Sequence, residues 1–511
     1  MQGVSDQDRE LLDAGALVGH LVPEGSVYRF LAEHRRRLFP DAMFEDLFPS
    51  RRGRPSVPAD VVATVMVLQA LEGRSDREAI DALRTNLRWK VAAGLALDDE
   101  GFHPTVLTLW RNKLRASEAP QRIFDAVRQV VAETGVLKGK NRRALDSTLL
   151  DDAVATQDTV TQLVSMIRRV RKAIPAAAAV EVAAHDYDAG GKPACAWDDP
   201  AARDALVTGL VNDALAVLDA LDGVELGEDD KQLVALLALV AGQDVEPDPD
   251  RGEGAWRIAR KVAPDRVIST VDPESRHMHK SRSNYRDGFK AHVAVEPETG
   301  IITGCELTAA SAGDGPVGVA LLDGESEVDV LADSAYGSGQ VRADLAAAGH
   351  RVIIKPLPLA RRAKLAADQF SRDDFVIDHA RRIVTCPEGH TVEIRGNGHA
   401  HFGTDRCRSC PSRPRCTTNR NGRVLVVGDH DELLATARAD WRNGTGVDDY
   451  RQHRPMVERS IAWLVAHGQR RVRFRGMDRN RVGLAHRAAA LNLRRLVNLG
   501  LTHTGAGWAI T

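Results

Sequence analysis

The 511-residue chain is poor in the features that most often disclose a function at sight. Aromatic residues are 5% of it, and the net charge is only −2, so bulk composition gives no argument for a polyanionic partner. No apolar run approaches the roughly 18 residues of a membrane span; LVALLALVAG at 233–242 is too short. The opening MQGVSDQDRELLDAG lacks both a basic n-region and an apolar h-region, which predicts no signal peptide and a cytoplasmic, bacterial setting. Six cysteines in such a compartment are not expected to form disulfides. With 43% hydrophobic and 27% charged residues the chain reads as soluble and globular, and its length predicts two to four domains.

What is there is unevenly distributed. Residues 186–250 hold 16 acids against three bases (Lys192, Arg203 and Lys231), whereas Arg451 to Arg495 holds 12 arginines against two acids, Glu458 and Asp478. Such asymmetry predicts a basic face for a polyanion and an acidic region held away from it. Residues 26–135 read as helical: PADVVATVMVLQALEG (58–73) opens on proline and ends on glycine, Ser75-Asp76-Arg77-Glu78 is a capping box, and TVLTLWRNKLRAS follows His103-Pro104. Arginines and lysines flank these helices, as in a helix-turn-helix DNA-binding module or, equally, a packing domain with solvated charges. RRALDSTLL (142–150) switches to a strand. Residues 155–265 return to alanine-rich, acidic helix. From 285 the pattern is β-type, with GFKAHVAVE and GIITGCELT joined by the turn signal Pro297-Glu298-Thr299-Gly300, then EVDVLADSAYGSG, a helix over QVRADLAAAGH, and the strand RVIIKPLP.

Three carboxylates deserve chemical scrutiny. Asp146 (RALDST) and Asp333 (VLADSAYGS) each end a short apolar run, and ligands of open α/β sheets collect at the carboxyl ends of strands. Glu458, in YRQHRPMVERSIAWLVAHG, is expected on the apolar side of its helix with Ile461, Ala462 and Val465, where an anion must be paired or hold a metal. Mg²⁺ suits such a cup, because it takes one or two carboxylates, waters and phosphate oxygens. Two ions about 3.5–4 Å apart would clamp an in-line phosphoryl displacement, with Mn²⁺ as a substitute. Each acid also has a plainer role open to it: Glu458 as the i,i+4 partner of Arg454, and Asp146 and Asp333 as caps or turn formers. Asp151 and Asp152 compete more weakly with Asp146.

Four cysteines cluster separately. Cys407-x₂-Cys410 has the spacing of a metal knuckle, and Cys386 and Cys416 can complete a structural Cys₄ zinc site, with His390 as an alternative ligand.

The order of these elements resembles the RNase H-like core of insertion-sequence DDE transposases. RSNYRDGFKAHVAVEPETGII is similar to that family's second and third strands, LADSAYGSG to its second acidic motif, and YRQHRPMVERSIAWL to its third. RGRPSVPADVVATVMVLQALEGRSDREAIDALRTNLRWKVAAGL is similar to its N-terminal region, and related transposases also carry a cysteine cluster between the second acid and the glutamate. The resemblance implies an α/β fold with a mixed-sheet core, Asp146, Asp333 and Glu458 as catalytic acids, and double-stranded DNA (element ends and target) bound by a homo-oligomer. It departs at Tyr450, one residue too far from Arg454, and at Val465, where a basic residue is expected; Arg470 or Arg471 could supply it. Further DNA contacts are expected from Arg454, Arg473, Lys290, Arg84 and Arg88. The implied organisation is a helical, DNA-binding domain over 1–135; catalytic core over 136–154 and 266–356; an acidic helical insertion over 155–265; a cysteine-bearing insertion over 357–446; and a catalytic helix with basic helices over 447–511. A catalytically inactive, domesticated DNA-binding protein and an RNase H-like repair nuclease are the alternatives.

Overall fold

The computed structural model describes residues 1–5, 12–50, 52–261, 263, 265–281, 284–359 and 368–511, with no side-chain description over 279–284. The first two residues of the strand motif that begins at Arg282 lie outside them.

After a five-residue helix at Ala14–Val18 come six more: α1 (Val27–Leu38), α2 (Ala59–Glu72), α3 (Asp76–Thr85), α4 (Leu87–Ala93), α5 (Thr105–Ala116) and α6 (Arg122–Thr134). Their ends lie where the punctuation predicts. Pro58 is the N-cap of α2, and Gly73 closes it at φ 69°, a conformation that favours glycine. Ser75 and Glu78 exchange both bonds of the capping box that starts α3. The helix α2 is apolar on all sides and buried along most of its length, which only a central position in a core allows.

Strand β1 (Arg142–Asp151) opens the sheet, and the chain then leaves it for α7 (Thr159–Ala173), α8 (Pro200–Ala220) and α9 (Glu228–Gln243). These three pack around their own core of Leu163, Ile167, Leu210, Val211 and Leu237. The carboxylate of buried Asp213 ties the layer together by accepting from the Ala183 and Ala184 amides (3.0 Å each) and from the Tyr187 hydroxyl (2.8 Å). The chain returns as β2 (Arg276–Ser281), β3 (Asn284–Val295), β4 (Ile302–Ala309), β5 (Asp329–Ala332), α10 (Gly339–Ala347) and β6 (Arg351–Ile354). The sheet is mixed: the order is β2-β3-β1-β5-β6 with β4 also paired to β3; β3 is antiparallel to β1, β2 and β4, and β5 is parallel to β1 and β6. Gly288, at φ 151°, lets β3 pass β1 closely, since a Cβ there would lie 2.0 Å from the Leu150 carbonyl oxygen.

One face of the sheet, through Leu145, Val330 and Ala332, packs on Leu322, Tyr336, Val341 and Leu345. The other face meets α11 (Val447–His453), α12 (Pro455–Leu464) and α13 (Met477–Asn498). Here an expectation changes. The N-terminal helices do not close a core of their own: Leu68, Trp89, Val127, Ala144, Val293, Leu331, Ile461, Ala488 and Leu493 belong to one continuous cluster. The basic 451–495 segment is accordingly not a surface ribbon. Its helix α13 is buried over much of its length, lying against α2, α5, α6 and β4.

Between β6 and α11 lie two small sheets, one of Val376–Asp378, Ile383–Thr385 and Thr391–Glu393, the other of His399–His401 and Val424–Val426. They share a core of only Phe375, Val384, Ile394, Ala400, Phe402, Leu425 and Val427. No helix among the described residues is long and apolar enough to cross a membrane.

One buried side chain of α13 bonds directly into the sheet backbone. Fully buried Asn492 donates to the Ile302 carbonyl and accepts from the Ile302 amide, both at 2.8 Å. Asn492→Leu would strand two buried backbone groups at roughly 1–3 kcal/mol each. Urea unfolding should show a loss of about 2–6 kcal/mol; an unchanged midpoint would mean that this contact does not hold the two layers.

Candidate active site

Asp146 does not end its strand. β1 runs on to Asp151 against β3, but its opposite edge is paired with β5 only as far as Ala144 opposite Leu331. Continuing that parallel register by two residues brings Asp146 level with Asp333, which follows β5. Side chains alternate along a strand, and Ala144 and Leu331 both face the α12–α13 side, so both acids do too. Asp333 also caps the short 3₁₀ turn Ser334–Tyr336, accepting the Ala335 amide at 2.8 Å. The cap role and the site role therefore coexist.

The third acid arrives through an arginine. Pro455 occupies the first turn of α12, where a missing amide is harmless, and Arg454 sits at the junction between α11 and α12. The Arg454 side chain is 5% exposed; one terminal nitrogen lies 3.0 Å from Asp146 and the other 3.2 Å from Glu458. One guanidinium thus spans the two carboxylates. The expected placement of Glu458 on the apolar side is corrected: the buried stripe of α12 is Val457, Ser460, Ile461 and Leu464, Ala462 is exposed, and the Glu458 side chain is 66% exposed. A helix turns by about 100° per residue, so Glu458 stands at the rim beside Val457. The i,i+4 ion pair with Arg454 is formed.

Burial pushes the Asp146 carboxyl above its ordinary range, and the neighbouring Asp333 charge adds to this, while Arg454 and the Ser147 amide oppose it. Tyr450, half-buried against the Trp441 ring, has its phenol raised by burial and by the charges of Asp333, Glu458 and Asp146, against Arg454. It therefore borders the acids despite its irregular spacing. On the other face of β1 lies a network that sequence reasoning missed. Ser147 donates to Asp314 (2.9 Å), which also pairs with Lys290 (3.1 Å), beside buried His292, whose pKa burial lowers to about 4. Strand alternation from Asp146 was the available signal for Ser147; nothing local marked Asp314.

The basic residues divide. Lys290 is corrected from a DNA contact to a buried partner of Asp314, 4% exposed, its ammonium also donating to the Ala312 carbonyl at 2.6 Å. Arg454 is likewise enclosed by its two acids rather than open to a phosphate. Arg470 donates to Thr148 Oγ1 (3.2 Å) and the Leu149 carbonyl (3.1 Å), on the same face of β1 as Asp146, whereas Arg471 reaches the Asp152 carbonyl at 3.0 Å. Arg473 donates to the Gly73 and Arg74 carbonyls. Arg84 and Arg88 are exposed, Arg84 donating to the Glu100 carbonyl at 2.6 Å. The weaker candidates have other partners: Asp151 accepts from Arg286 at 2.6 and 2.8 Å, and buried Asp152 accepts from Ser275 at 2.8 Å.

Cys386, Cys407, Cys410 and Cys416 line one 20 Å³ cavity with His390. All four are free thiols, and burial raises the Cys416 thiol, with the other three close enough to add to the effect. Yet among the described residues no group of three or more His, Cys, Asp or Glu is gathered closely enough to hold a metal ion. The zinc expectation therefore has convergence behind it but no formed ligand set. For the acids, the level pair Asp146–Asp333 suits a cation that needs only one or two carboxylates, and such a cation would offset the burial that chiefly raises Asp146 together with the smaller contribution of the Asp333 charge.

The sign of the pH dependence follows. A carboxyl whose folded pKa is raised binds more protons in the native state, so its contribution to stability is present at low pH and falls as pH rises through that pKa. Arg454 limits the fall by favouring the ionised form. In Arg454→Met, metal-free protein should lose stability relative to wild type by about 3 kcal/mol at neutral pH, the scale of breaking a buried pair, with a smaller deficit at pH 4. Chemical denaturation at both pH values checks this; an equal deficit at both would show that Arg454 acts by packing and not by charge.

Two family models match the chain. One described as "Transposase DDE domain" matches residues 259–493, which include Asp333 and Glu458 but begin after Asp146. A second, "Transposase domain (DUF772)", matches residues 18–113, spanning α1 to most of α5. No curated protein and no solved structure matches the chain. Two transposase matches in the order helical region then sheet, on a chain whose sheet aligns two aspartates, identify it: the chain belongs to the DDE transposases of insertion sequences, a family that cleaves and transfers DNA phosphodiesters.

Proposed function

We propose that this chain binds the ends of its element, cuts them and joins the freed 3′-OH to target DNA, with Asp146, Asp333 and Glu458 as the acids that hold divalent cations. The observation that carries the reading is the level placement of Asp146 and Asp333 beyond the β1–β5 ladder, with Arg454 tying Glu458 to the same spot. The antiparallel pairing of β4 with β3 and of β3 with β1, followed by parallel β5 and β6, supports an RNase H-like core. Bound Mg²⁺ would activate the attacking water or hydroxyl and stabilise the leaving oxygen. The protein's own part is positional. Asp146 and Asp333 are set by backbone register, Arg454 aligns Glu458, and Arg470, beside Thr148 on the Asp146 face, is the better candidate for the missing basic residue because Arg471 is aimed at Asp152. Pairing of two element ends calls for a multimer on DNA.

Asp146→Asn, Asp333→Asn and Glu458→Gln should each abolish Mg²⁺-dependent cleavage of labelled end DNA while end binding persists. If Glu458 serves only as an ion-pair partner, Glu458→Gln costs a few tenths of a kcal/mol and cutting continues near the wild-type rate. That result would remove it from the triad. Retained binding with no cleavage by wild type under Mg²⁺ or Mn²⁺ would favour the domesticated, non-catalytic alternative. Nicking of DNA that lacks element ends, without strand transfer, would favour the nuclease.

We also propose a structural zinc in the 386–416 segment, supported by the four cysteines around one cavity and by an apolar core too small to stand alone. Purified protein should carry about one zinc per chain, and Cys407→Ser or Cys410→Ser should release it and expose the segment to proteolysis. A zinc-free wild type that resists proteolysis there would end the idea.

A further inference from the structure

Away from the acids, a 230 Å³ cavity opens at the seam between α5 and the segment that leads into α13. One wall is a stripe of α5: Thr108, Arg111, Asn112 and Arg115, at the i, i+3, i+4, i+7 spacing of a single helix face. The opposite face of the helix, Leu107, Trp110 and Leu114, is core. Phe474 and Arg479 close the other side. The cavity has three guanidinium groups and one carboxylate, Asp76, which is already committed: it pairs with Arg111 and accepts from Gln69 at 2.7 Å. Arg111 is further fixed with its guanidinium carbon 5.1 Å from the centre of the Phe474 ring. Arg115 and Arg479 are exposed and have no carboxylate partner among the described residues.

We propose that this cavity seats a phosphodiester of the DNA backbone, held by Arg115 and Arg479 with Arg111 as a preset donor. The lining favours an anion over a base, since two uncommitted guanidinium groups fit phosphate oxygens and the one aromatic ring is already covered by Arg111. The site bridges the helical region and the C-terminal segment, so one strand of DNA would bind both at once. The inference rests on the DNA-binding reading above and specifies where part of that binding occurs.

The test is equilibrium binding of the full chain to two duplexes, one with the element's terminal repeat and one scrambled, across a range of salt. For Arg115→Ala/Arg479→Ala, the slope of log affinity against log salt should shrink by roughly 1–2, as expected for one or two lost phosphate contacts. Both duplexes should weaken by the same factor, and the double lysine variant should recover most of the loss. An unchanged slope overturns the proposal. A changed ratio between the duplexes overturns it too, because the cavity would then read bases. Inorganic phosphate titrated into wild type gives a third arm: saturation at low millimolar concentration, without competition against DNA, would make this a free-anion site. Failure of wild type to bind either duplex would sink the DNA-binding reading itself, and this inference with it.

Discussion

Three residue pairs of parallel ladder, Arg142–Ala144 against Asp329–Leu331, are the constraint on which the site depends. Backbone hydrogen bonds set that register, and side-chain alternation converts register into chemistry: two positions on, both strands present an aspartate to the same face. A one-residue slip would turn one acid to the opposite side, among Leu145, Tyr336 and Leu345. The pairing then stops, and this matters as much as the pairing itself, because open edges beyond Ala144 and Leu331 leave room for Arg454 to enter. Its burial between Asp146 and Glu458 explains how a helix remote in sequence delivers a carboxylate to a sheet without burying that carboxylate.

Arginine has two distinct uses in the C-terminal region. Arg487 is buried and Arg495 half-buried; they donate to the Gln469 and Gly300 carbonyls and have their pKa values lowered to about 10, chiefly by desolvation. Guanidinium remains charged there at neutral pH, so these residues bind layers together through carbonyl oxygens. Arg479 is exposed instead and lies with Arg115 of α5 on the lining of a cavity, neither with a carboxylate partner among the described residues. A count of arginines along the chain cannot separate the two groups, since burial is decided by α13 packing into the interior.

Much of this was legible in the sequence for physical reasons that are local. Helix ends at Pro58, Gly73 and Ser75, the 296–301 turn and the order of strands all rest on punctuation and periodicity over a few residues. Asp146 and Asp333 stand out in the sequence because each follows a short apolar run, although β1 continues five residues past Asp146 to Asp151. The misplacements share a different cause. The resemblance implies Lys290 as a DNA contact, yet its position on β3 turns it toward Asp314, a residue 24 positions away that no local rule connects to it. Glu458 was placed on the apolar face because Ile461 lies at i+3; the structure centres that face on Val457, one residue back. The continuous core was missed for the same reason, because only tertiary contact reveals that α13 serves the helical region and the sheet together.

The long gaps between the acids follow from where the chain is interrupted. After β1 it departs at Asp151, five positions beyond Asp146, into helices with a separate core, and Gln162 and Gln243 close the exit by bonding the Val267 carbonyl at 3.0 Å each. After β6 it departs again into the cysteine segment and returns at α11, directly before Arg454. Each excursion begins and ends outside the elements that place an acid, and each carries its own apolar cluster. The interruptions therefore lengthen the sequence between Asp146, Asp333 and Glu458 without acting on the register that aligns the first two. Helix α13 completes the arrangement from the other side: by packing on both β4 and the N-terminal helices, it fixes α5 relative to the sheet that carries the acids. A DNA strand gripped at α5 would then meet the acids at a set distance, through a rigid core and not through a linker.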